Sequence, residues 1–222
     1  MRRVMKATTL ATVGLAALAA TAQAAPSITL SPVQACYTDE DSATLTGAGF
    51  TAGAGVNVTV DGLSGGSITA DTAGGFAGAW NFGQMKGVKT HTITATDATN
   101  PALTASLSFV GTTHQVKASA RGKPGKKSKL RGFGFIYGSK AYMHVRGHGI
   151  KSDTRIARPK APCGTFVVKR AFVPSGAPVG KYRVQFDASK RFSKRTQHKL
   201  VYQLTVFRTF SSAATAGFAL AG

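Results

Sequence analysis

Short segments in which apolar and polar residues alternate recur along most of the chain. The alternation is clearest in Val56–Val60 and in His91–Ala95, where every second residue is Asn or Thr. A period of two residues is typical of β-strands that bury one face. Turn-forming pairs such as Asp61-Gly62 and Pro124-Gly125 separate the segments. Since no segment shows a sustained period of 3.6 residues, the pattern predicts an all-β protein.

The segments predict seven short strands in each half of the chain, spaced by roughly ten residues. The strands predicted in the first half are Ser27–Leu30, Ala43–Gly47, Val56–Val60, Gly66–Ala70, Phe76–Asn81, Thr90–Thr96 and Leu103–Val110. Those predicted in the second half are His114–Ser119, Ser128–Phe133, Lys140–Arg146, Asp153–Arg158, Thr165–Phe172, Lys181–Asp187 and Leu200–Phe207. This number and spacing are typical of immunoglobulin-like β-sandwiches, so we expect two of them in tandem.

The two halves repeat one sequence pattern. Leu45-Thr46-Gly47-Ala48-Gly49-Phe50 returns 85 residues later as Leu130-Arg131-Gly132-Phe133-Gly134-Phe135. Further along, His91–Ala98 aligns with Lys181–Ala188 at an offset of 90. Single glycine matches arise easily by chance in a chain with 26 glycines, but a run in one register does not. The period is that of a small domain and exceeds solenoid repeats of about 20–50 residues. It predicts homologous domains over residues 25–111 and 112–208.

The two ends of the chain are predicted to lie outside these domains. Residues 1–24 combine a basic start, an apolar run of 14 residues and the small-residue pattern Ala22-Gln23-Ala24. This layout is typical of a secretory signal peptide cleaved after Ala24. The alternative is a membrane anchor, but a spanning helix needs about 20 apolar residues. We therefore expect a secreted or cell-wall-associated protein with no transmembrane segment in its mature chain, and a flexible tail over residues 209–222.

The first repeat resembles bacterial immunoglobulin-like domains of secreted and surface proteins, in Leu45–Gly53, Val56–Val60 and Thr69–Phe76. It is similar, more distantly, to the neocarzinostatin-type sandwich of secreted chromoprotein apoproteins. The paired cysteines of that family are missing here, so chromophore binding is not carried over. These resemblances imply a β-sandwich fold and export.

The second repeat resembles an uncharacterised family of exported basic proteins from actinobacteria. The resemblance lies in Gly122–Gly125, Pro162–Phe166 and Tyr182–Asp187. It implies an exported domain and brings with it no activity, no catalytic residue and no cofactor.

Charge divides the two predicted domains. The chain has 28 Lys and Arg against 8 Asp and Glu, a formal net charge of +20. Residues 25–111 contain two bases and six acids, whereas residues 112–222 contain 23 bases and only the acids Asp153 and Asp187. A charge this uneven concerns partners and solubility and not the fold. We expect the second domain to associate with anionic cell-wall polymers or lipid head groups.

The expected polyanion-binding residues form two basic clusters, to which strand residues Lys169, Arg170, Lys181 and Arg183 add. The clusters are Arg121, Lys123, Lys126, Lys127, Lys129 and Arg131, and Lys190, Arg191, Lys194 and Arg195. The alternative is a solvated basic surface on a purely structural or protein-interaction module. Sequence-specific nucleic-acid binding is not expected, because no helix-based or zinc module is visible. The sequence does not specify the oligomeric state.

The sequence gives little support for catalysis, and an unrecognised enzyme is the third interpretation. Asp187 lies at the end of a predicted strand and is expected to be a turn or strand-end residue that pairs with a nearby base. His144 and His148 would form a metal pair on a helix, but the pattern here is that of a strand. No nucleophile elbow or phosphate-binding loop is present. We expect no cofactor and no metal site.

Two cysteines are too few for a disulfide-rich scaffold or a four-cysteine zinc site. Cys36 falls in the first domain and Cys163 in the second, so a bond within one domain is excluded. A bond between domains, a bond between molecules and two free thiols stay open, and export favours oxidation. Cys36 leads into the acidic run Tyr37–Asp41, while Cys163 follows the basic residues Arg155, Arg158 and Lys160. Their attraction favours a Cys36–Cys163 bond between the domains.

Overall fold

The computed structural model describes residues 24–118, 121–208 and 214–220. The predicted signal peptide, apart from Ala24, lies outside the described residues. The all-β prediction is confirmed, because the described residues form seventeen strands and no helix.

The first half of the chain forms two sheets. Its strands are β1 (Ser27–Ser31), β2 (Tyr37–Thr38), β3 (Ser42–Ala48), β4 (Gly55–Val60), β5 (Leu63–Thr69), β6 (Phe76–Asn81), β7 (Lys89–Asp97) and β8 (Thr104–Thr112). One sheet has the order β1-β3-β6 and the other the order β2-β8-β7-β4-β5. All neighbours are antiparallel except β2 and β8.

The second half forms two sheets of the same kind. Its strands are β9 (Gln115–Ala118), β10 (Arg121–Gly122), β11 (Ser128–Phe133), β12 (Ala141–Gly147), β13 (Ile150–Ala157), β14 (Phe166–Arg170), β15 (Gly180–Asp187), β16 (Leu200–Arg208) and β17 (Ala214–Leu220). The sheet orders are β9-β11-β14 and β10-β17-β16-β15-β12-β13. The order of the first half therefore recurs, with β17 added between β16 and β10. This recurrence is consistent with tandem immunoglobulin-like sandwiches.

β17 corrects the expectation of a flexible tail. Residues 214–220 pair with β16 along their length and with both residues of β10, so this part of the tail belongs to the sheet. The exposed edge of β16 offers free backbone groups, and the tail satisfies them although it lacks a clear alternating pattern. The rest of the expected tail, residues 209–213 and 221–222, lies outside the described residues.

Two separate hydrophobic cores lie between the sheets. The first is built from residues between 28 and 109, and the second from residues between 116 and 206. In the second, Leu130 of the three-stranded sheet faces Val145 and Val184 of the six-stranded sheet. Because strand side chains alternate, the neighbours of these residues point away from the core on both outer surfaces.

The repeated glycines have a packing role. Gly47 is paired with Phe76, and Gly132 with Phe166, at equivalent positions of the two three-stranded sheets. A Cβ at either glycine would overlap the phenylalanine ring on the neighbouring strand. The glycine lets each ring lie flat over the strand and enter the core.

One part of the sequence alignment is wrong by a residue. Ile93 pairs with Val60 and faces the first core, while Val184 pairs with Val145 and faces the second. Val184 is thus the counterpart of Ile93, whereas the offset of 90 assigns Arg183 to it. A slip of one residue exchanges the two faces of a strand, so this distinction decides which side chains are buried.

Candidate functional site

Four basic side chains line the outer surface of the β9-β11-β14 sheet: Lys117, Lys129, Arg131 and Lys169. Their neighbours Val116 and Leu130 are buried in the second core, and all four bases are exposed. We call this surface the three-strand face. Lys129 and Arg131 belong to the first predicted cluster, and Lys169 was expected to add to it. Lys117 was missed, because it stands alone in the sequence.

The bases of the three-strand face are paired with one another across the strands. Arg131 lies opposite Lys117, and Lys129 lies opposite Lys169. Side chains opposite each other on neighbouring strands have Cβ atoms only about 5 Å apart, so like charges there repel. Lys117 Nζ also lies 5.9 Å from the centre of the Phe133 ring. The face thus concentrates positive charge at a cost in stability.

The equivalent surface of the first half is uncharged. There, Thr29 and Thr46 take the places of Lys117 and Arg131, and their hydroxyls are hydrogen-bonded at 2.6 Å. At the second pair of positions, Thr44 lies opposite Ala79 in the first half, whereas Lys129 lies opposite Lys169 in the second half. The same sheet is therefore built without charge in the first half, so the fold does not require these four bases.

Neither acid of the second half neutralises the three-strand face. Asp153 accepts hydrogen bonds from His144 Nδ1 at 2.8 Å and from Arg146. Asp187 is fully buried and lies 3.1 Å from His144 Nε2. Both carboxylates serve the six-stranded sheet, on the other side of the core.

The remaining members of the first cluster lie at one end of the domain. Lys123, Lys126 and Lys127 are exposed in the loop before β11, where the Gly125 N–H donates to the Val173 carbonyl. Arg121 lies in β10, whose backbone pairs with β17. This loop is at the end of β11 distant from the first half of the chain.

The second cluster lies elsewhere, in the loop of residues 188–199 between β15 and β16. Lys190, Arg191, Lys194 and Arg195 are all exposed there. The loop folds back over the outer surface of the six-stranded sheet, where Gln185 Nε2 donates to the Ser193 carbonyl at 2.9 Å. The Phe192 ring covers the Arg146 guanidinium at 4.5 Å. The structure therefore places the second cluster on the side of the sandwich opposite to Lys129 and Arg131, while the other members of the first cluster lie on neither of these two surfaces or, for Arg121, in the six-stranded sheet.

A buried ionic network lies under this loop. His144 is fully buried between Asp153 and Asp187, and Gln185 Nε2 donates to Asp187 at 2.6 Å. Burial by itself lowers the pKa of His144, but its bonds with Asp187 and Asp153 raise this pKa overall. Burial also works against the two carboxylates, yet His144 brings the pKa of each below its ordinary value. The expectation that Asp187 ends a strand and pairs with a base is confirmed.

The two histidines considered as a metal pair lie in different surroundings. His148 lies in the turn between β12 and β13, with its ring 5.2 Å from that of Tyr182, whereas His144 is enclosed by carboxylates. Within the described ranges, no group of three or more His, Cys, Asp or Glu side chains is arranged to hold a metal ion.

The two halves are joined by the predicted disulfide. Cys36 and Cys163 are bonded, and both are buried. The prediction of this bond is confirmed, but its electrostatic reason is not the one expected. The adjacent acids Asp39, Glu40 and Asp41 take their partners from the second half at other residues, and no ion pair with Arg155, Arg158 or Lys160 is found among the described side chains.

We call Asp39, Glu40 and Asp41 the acidic clasp. Glu40 is held by two histidines, His114 Nδ1 at 2.8 Å and His198 Nδ1 at 2.9 Å. Burial by itself raises the pKa of Glu40. The two histidines lower this pKa by a larger amount, so the net shift is downward. The Asp39 carboxylate accepts from the His114 backbone N–H at 2.7 Å, and Asp41 accepts from a tyrosine hydroxyl, Tyr137, at 2.6 Å. The three acids of the clasp thus bond to residues of the second half and fix the junction.

No protein-family model and no curated protein matches the sequence. Among solved structures, the chain is similar to the transglutaminase of red sea bream, with 13% sequence identity and a TM-score of 0.31. The similarity covers 83% of this chain and 32% of the transglutaminase chain, so the chain spans less than half of that protein. A similarity at this level assigns no activity to the chain. Of the residues that the structure describes, none belongs to a helix long and apolar enough to cross a membrane.

Proposed function

We propose that this protein is a non-enzymatic protein of the cell envelope whose second half binds anionic polymers through the three-strand face. The observation that carries the proposal is the pairing of like charges, Lys117 with Arg131 and Lys129 with Lys169, where the first half has Thr and Ala. Such pairs destabilise a free sheet, and a bound polyanion would relieve the repulsion. A purely structural module does not require this arrangement, because the first half builds the same sheet with Thr and Ala at these positions.

Phosphate-rich polymers suit the geometry of this face. Successive outward residues on one strand lie about 6.6 Å apart and neighbouring strands about 4.8 Å apart, so the four bases form a compact grid of positive charge. Lys and Arg that contact phosphates release condensed counterions, which drives binding and makes it salt-dependent. Anionic cell-wall polymers and lipid head groups are the polyanions we propose as partners.

The proposed location is outside the cytoplasm. A disulfide between two buried cysteines is compatible with an oxidising compartment. The signal peptide expected at residues 1–24 would provide the export route.

The test compares the affinity of full-length variants for linear polyphosphate. In the face variant, each base is replaced by its counterpart in the first half: K117T, K129T, R131T and K169A. We expect its affinity to fall at least tenfold. The slope of log affinity against log salt between about 50 and 200 mM should fall by about 3, since each phosphate contact on a single strand contributes about 0.7.

A matched control removes the same charge elsewhere. K86T, K89T, K140T and K160T change four exposed lysines outside the three-strand face. We expect this variant to lose less than threefold in affinity. Equal losses in both variants, or binding by the wild type that ignores salt, would contradict a defined site. Anionic liposomes and isolated wall polymer, tested in parallel, separate the two proposed partners.

A further inference from the structure

We infer that one molecule bridges two polyanion chains, because its second half carries a second basic face on the opposite side of the same sandwich. This inference rests on the proposed function and extends it from binding to cross-linking. The second surface, which we call the six-strand face, is formed by Arg146, Lys151, Lys181 and Arg183.

The six-strand face shows the same pairing of like charges as the first. Arg146 on β12 lies opposite Lys151 on β13 and opposite Arg183 on β15, so three cations form one row across three strands. Lys181 follows on the same side of β15, since Tyr182 and Val184 point into the core. Of the three cations in this row, Arg146 is the one whose charge is compensated among the described residues, by an ion pair with Asp153. The Nε atom of Arg183 is buried and has no hydrogen-bond partner among the described residues.

The loop of residues 188–199 adds four more cations on this side. It is anchored by the packing of Phe192 on Arg146 and by the hydrogen bond from Gln185 to Ser193. Lys190, Arg191, Lys194 and Arg195 therefore lie in a loop that is anchored to the outer surface of the six-stranded sheet. The second predicted cluster belongs to this second surface.

One short polyanion cannot contact both faces at the same time. They are the outer surfaces of two sheets that enclose a single core, so they point in opposite directions. Stacked sheets lie about 10 Å apart, and with long side chains on both sides the sandwich is roughly 20 Å thick. A polymer shorter than this thickness contacts one face or the other. Two such chains can be held at once.

The first half shows that a second charged face is not a requirement of the fold. The outer surface of its five-stranded sheet carries hydroxyl pairs, Thr92 with Ser108 at 3.4 Å and Thr94 with Ser106 at 3.0 Å. Both basic faces are thus confined to one half of the chain, where they lie back to back.

The test uses the full chain with oligophosphates shorter than about 20 Å, labelled with either a donor or an acceptor dye. We expect two oligomers to bind per wild-type molecule. Energy transfer between the dyes should peak at one protein molecule per two oligomers and decline when protein is in excess. The face variant K117T, K129T, R131T and K169A should bind one oligomer and lose the transfer. A second variant, K151T, K181T and R183T, should behave in the same way, and it leaves Arg146 and its partner Asp153 in place.

The outcomes separate this inference from the proposed function. Binding of a single oligomer by the wild type would overturn bridging and leave the proposed function standing. Energy transfer retained by either single-face variant would also overturn it, because the bridging would then come from association between protein molecules. A wild type that binds no oligomer at all would overturn both. The wild-type stoichiometry decides the matter even if one variant fails to fold.

Discussion

At the scale of single residues, Gly132 has no room for a side chain. A Cβ there would overlap the ring of Phe166, which is buried in the second core and cannot move without opening it. We expect Gly132→Ala to lower the free energy of unfolding by about 1–3 kcal/mol through overpacking, as measured by urea denaturation.

The control for this substitution is Gly83→Ala, because no atom lies within 4 Å of a Cβ built at that glycine. The control should change stability much less. Adding Phe166→Leu to Gly132→Ala should recover part of the loss, since the smaller side chain leaves space for the methyl group. A Gly132→Ala protein as stable as the wild type would show that the ring can shift freely.

His144 gives the second half a pH-dependent stability. Although burial opposes it, the bonds with Asp187 and Asp153 raise the folded-state pKa of His144 above its ordinary value. Stability from a raised pKa is fully present below the unfolded-state pKa, about 6.5, and is lost as the pH rises through the folded-state pKa. The two carboxylates have lowered pKa values, so their contribution is lost at the acidic end. The network stabilises most between these limits.

We therefore expect His144→Gln to cost more stability at pH 5.5 than at pH 9. The measurement is the difference in the free energy of unfolding between wild type and variant across this range. His148→Gln is the control, because this histidine lies in an exposed turn and its effect should stay small. A difference for His144→Gln that is independent of pH would show that folding does not shift the pKa of this histidine, and a larger cost at pH 9 would show that the histidine is neutral in the folded protein.

At the scale of strands, alternation in the sequence was sufficient to predict the bounds of strands that are long and half-buried. The predicted strands Phe76–Asn81 and Ser128–Phe133 coincide with β6 and β11. β2 and β10 were not predicted, because a period of two cannot be recognised in two residues. β17 was missed because five of its seven residues are Ala, Gly or Thr, so its apolar and polar positions contrast only weakly in the sequence.

The paired charges of the three-strand face predict a conflict between stability and binding. Opposite-charge pairs on neighbouring strands contribute roughly 0.2–1 kcal/mol each, and like charges at such positions destabilise the sheet. We expect the variant K117T, K129T, R131T and K169A, without ligand at low salt, to be more stable than the wild type. The gain should shrink as added salt screens the repulsion. Denaturation at two salt concentrations measures it, with K86T, K89T, K140T and K160T as the control. A variant less stable than the wild type would mean that the bases stabilise the sheet.

At the scale of the whole molecule, the sequence identified the basic half but not its surfaces. Lys129 and Arg131 stood out because they lie in a dense basic run. Lys169 was expected to add to the basic surface, but its position opposite Lys129, like that of Lys117 opposite Arg131, follows only from strand pairing between residues distant in the sequence. The second cluster could not be assigned to the face opposite to Lys129 and Arg131, because the path of the 188–199 loop depends on contacts of Phe192 and Ser193 that no local pattern reveals.

The junction between the halves combines a covalent and an ionic link, and removing them in turn separates their contributions. The disulfide closes a span of 127 residues, so C36A with C163A should lower stability by up to about 5 kcal/mol in the chain-entropy model.

Adding Glu40→Gln to this double variant then removes the carboxylate held by His114 and His198. Burial raises the pKa of Glu40, but these histidines lower it overall, so its stabilisation is present above pH 4.5 and lost as the pH falls. The additional loss should therefore be clear at pH 7 and small at pH 3, with Glu40→Gln in the oxidised protein as the reference. Denaturation and small-angle scattering measure the stability and the opening of the junction. An equal effect of Glu40→Gln at both pH values would show that the clasp acts through packing and not through charge.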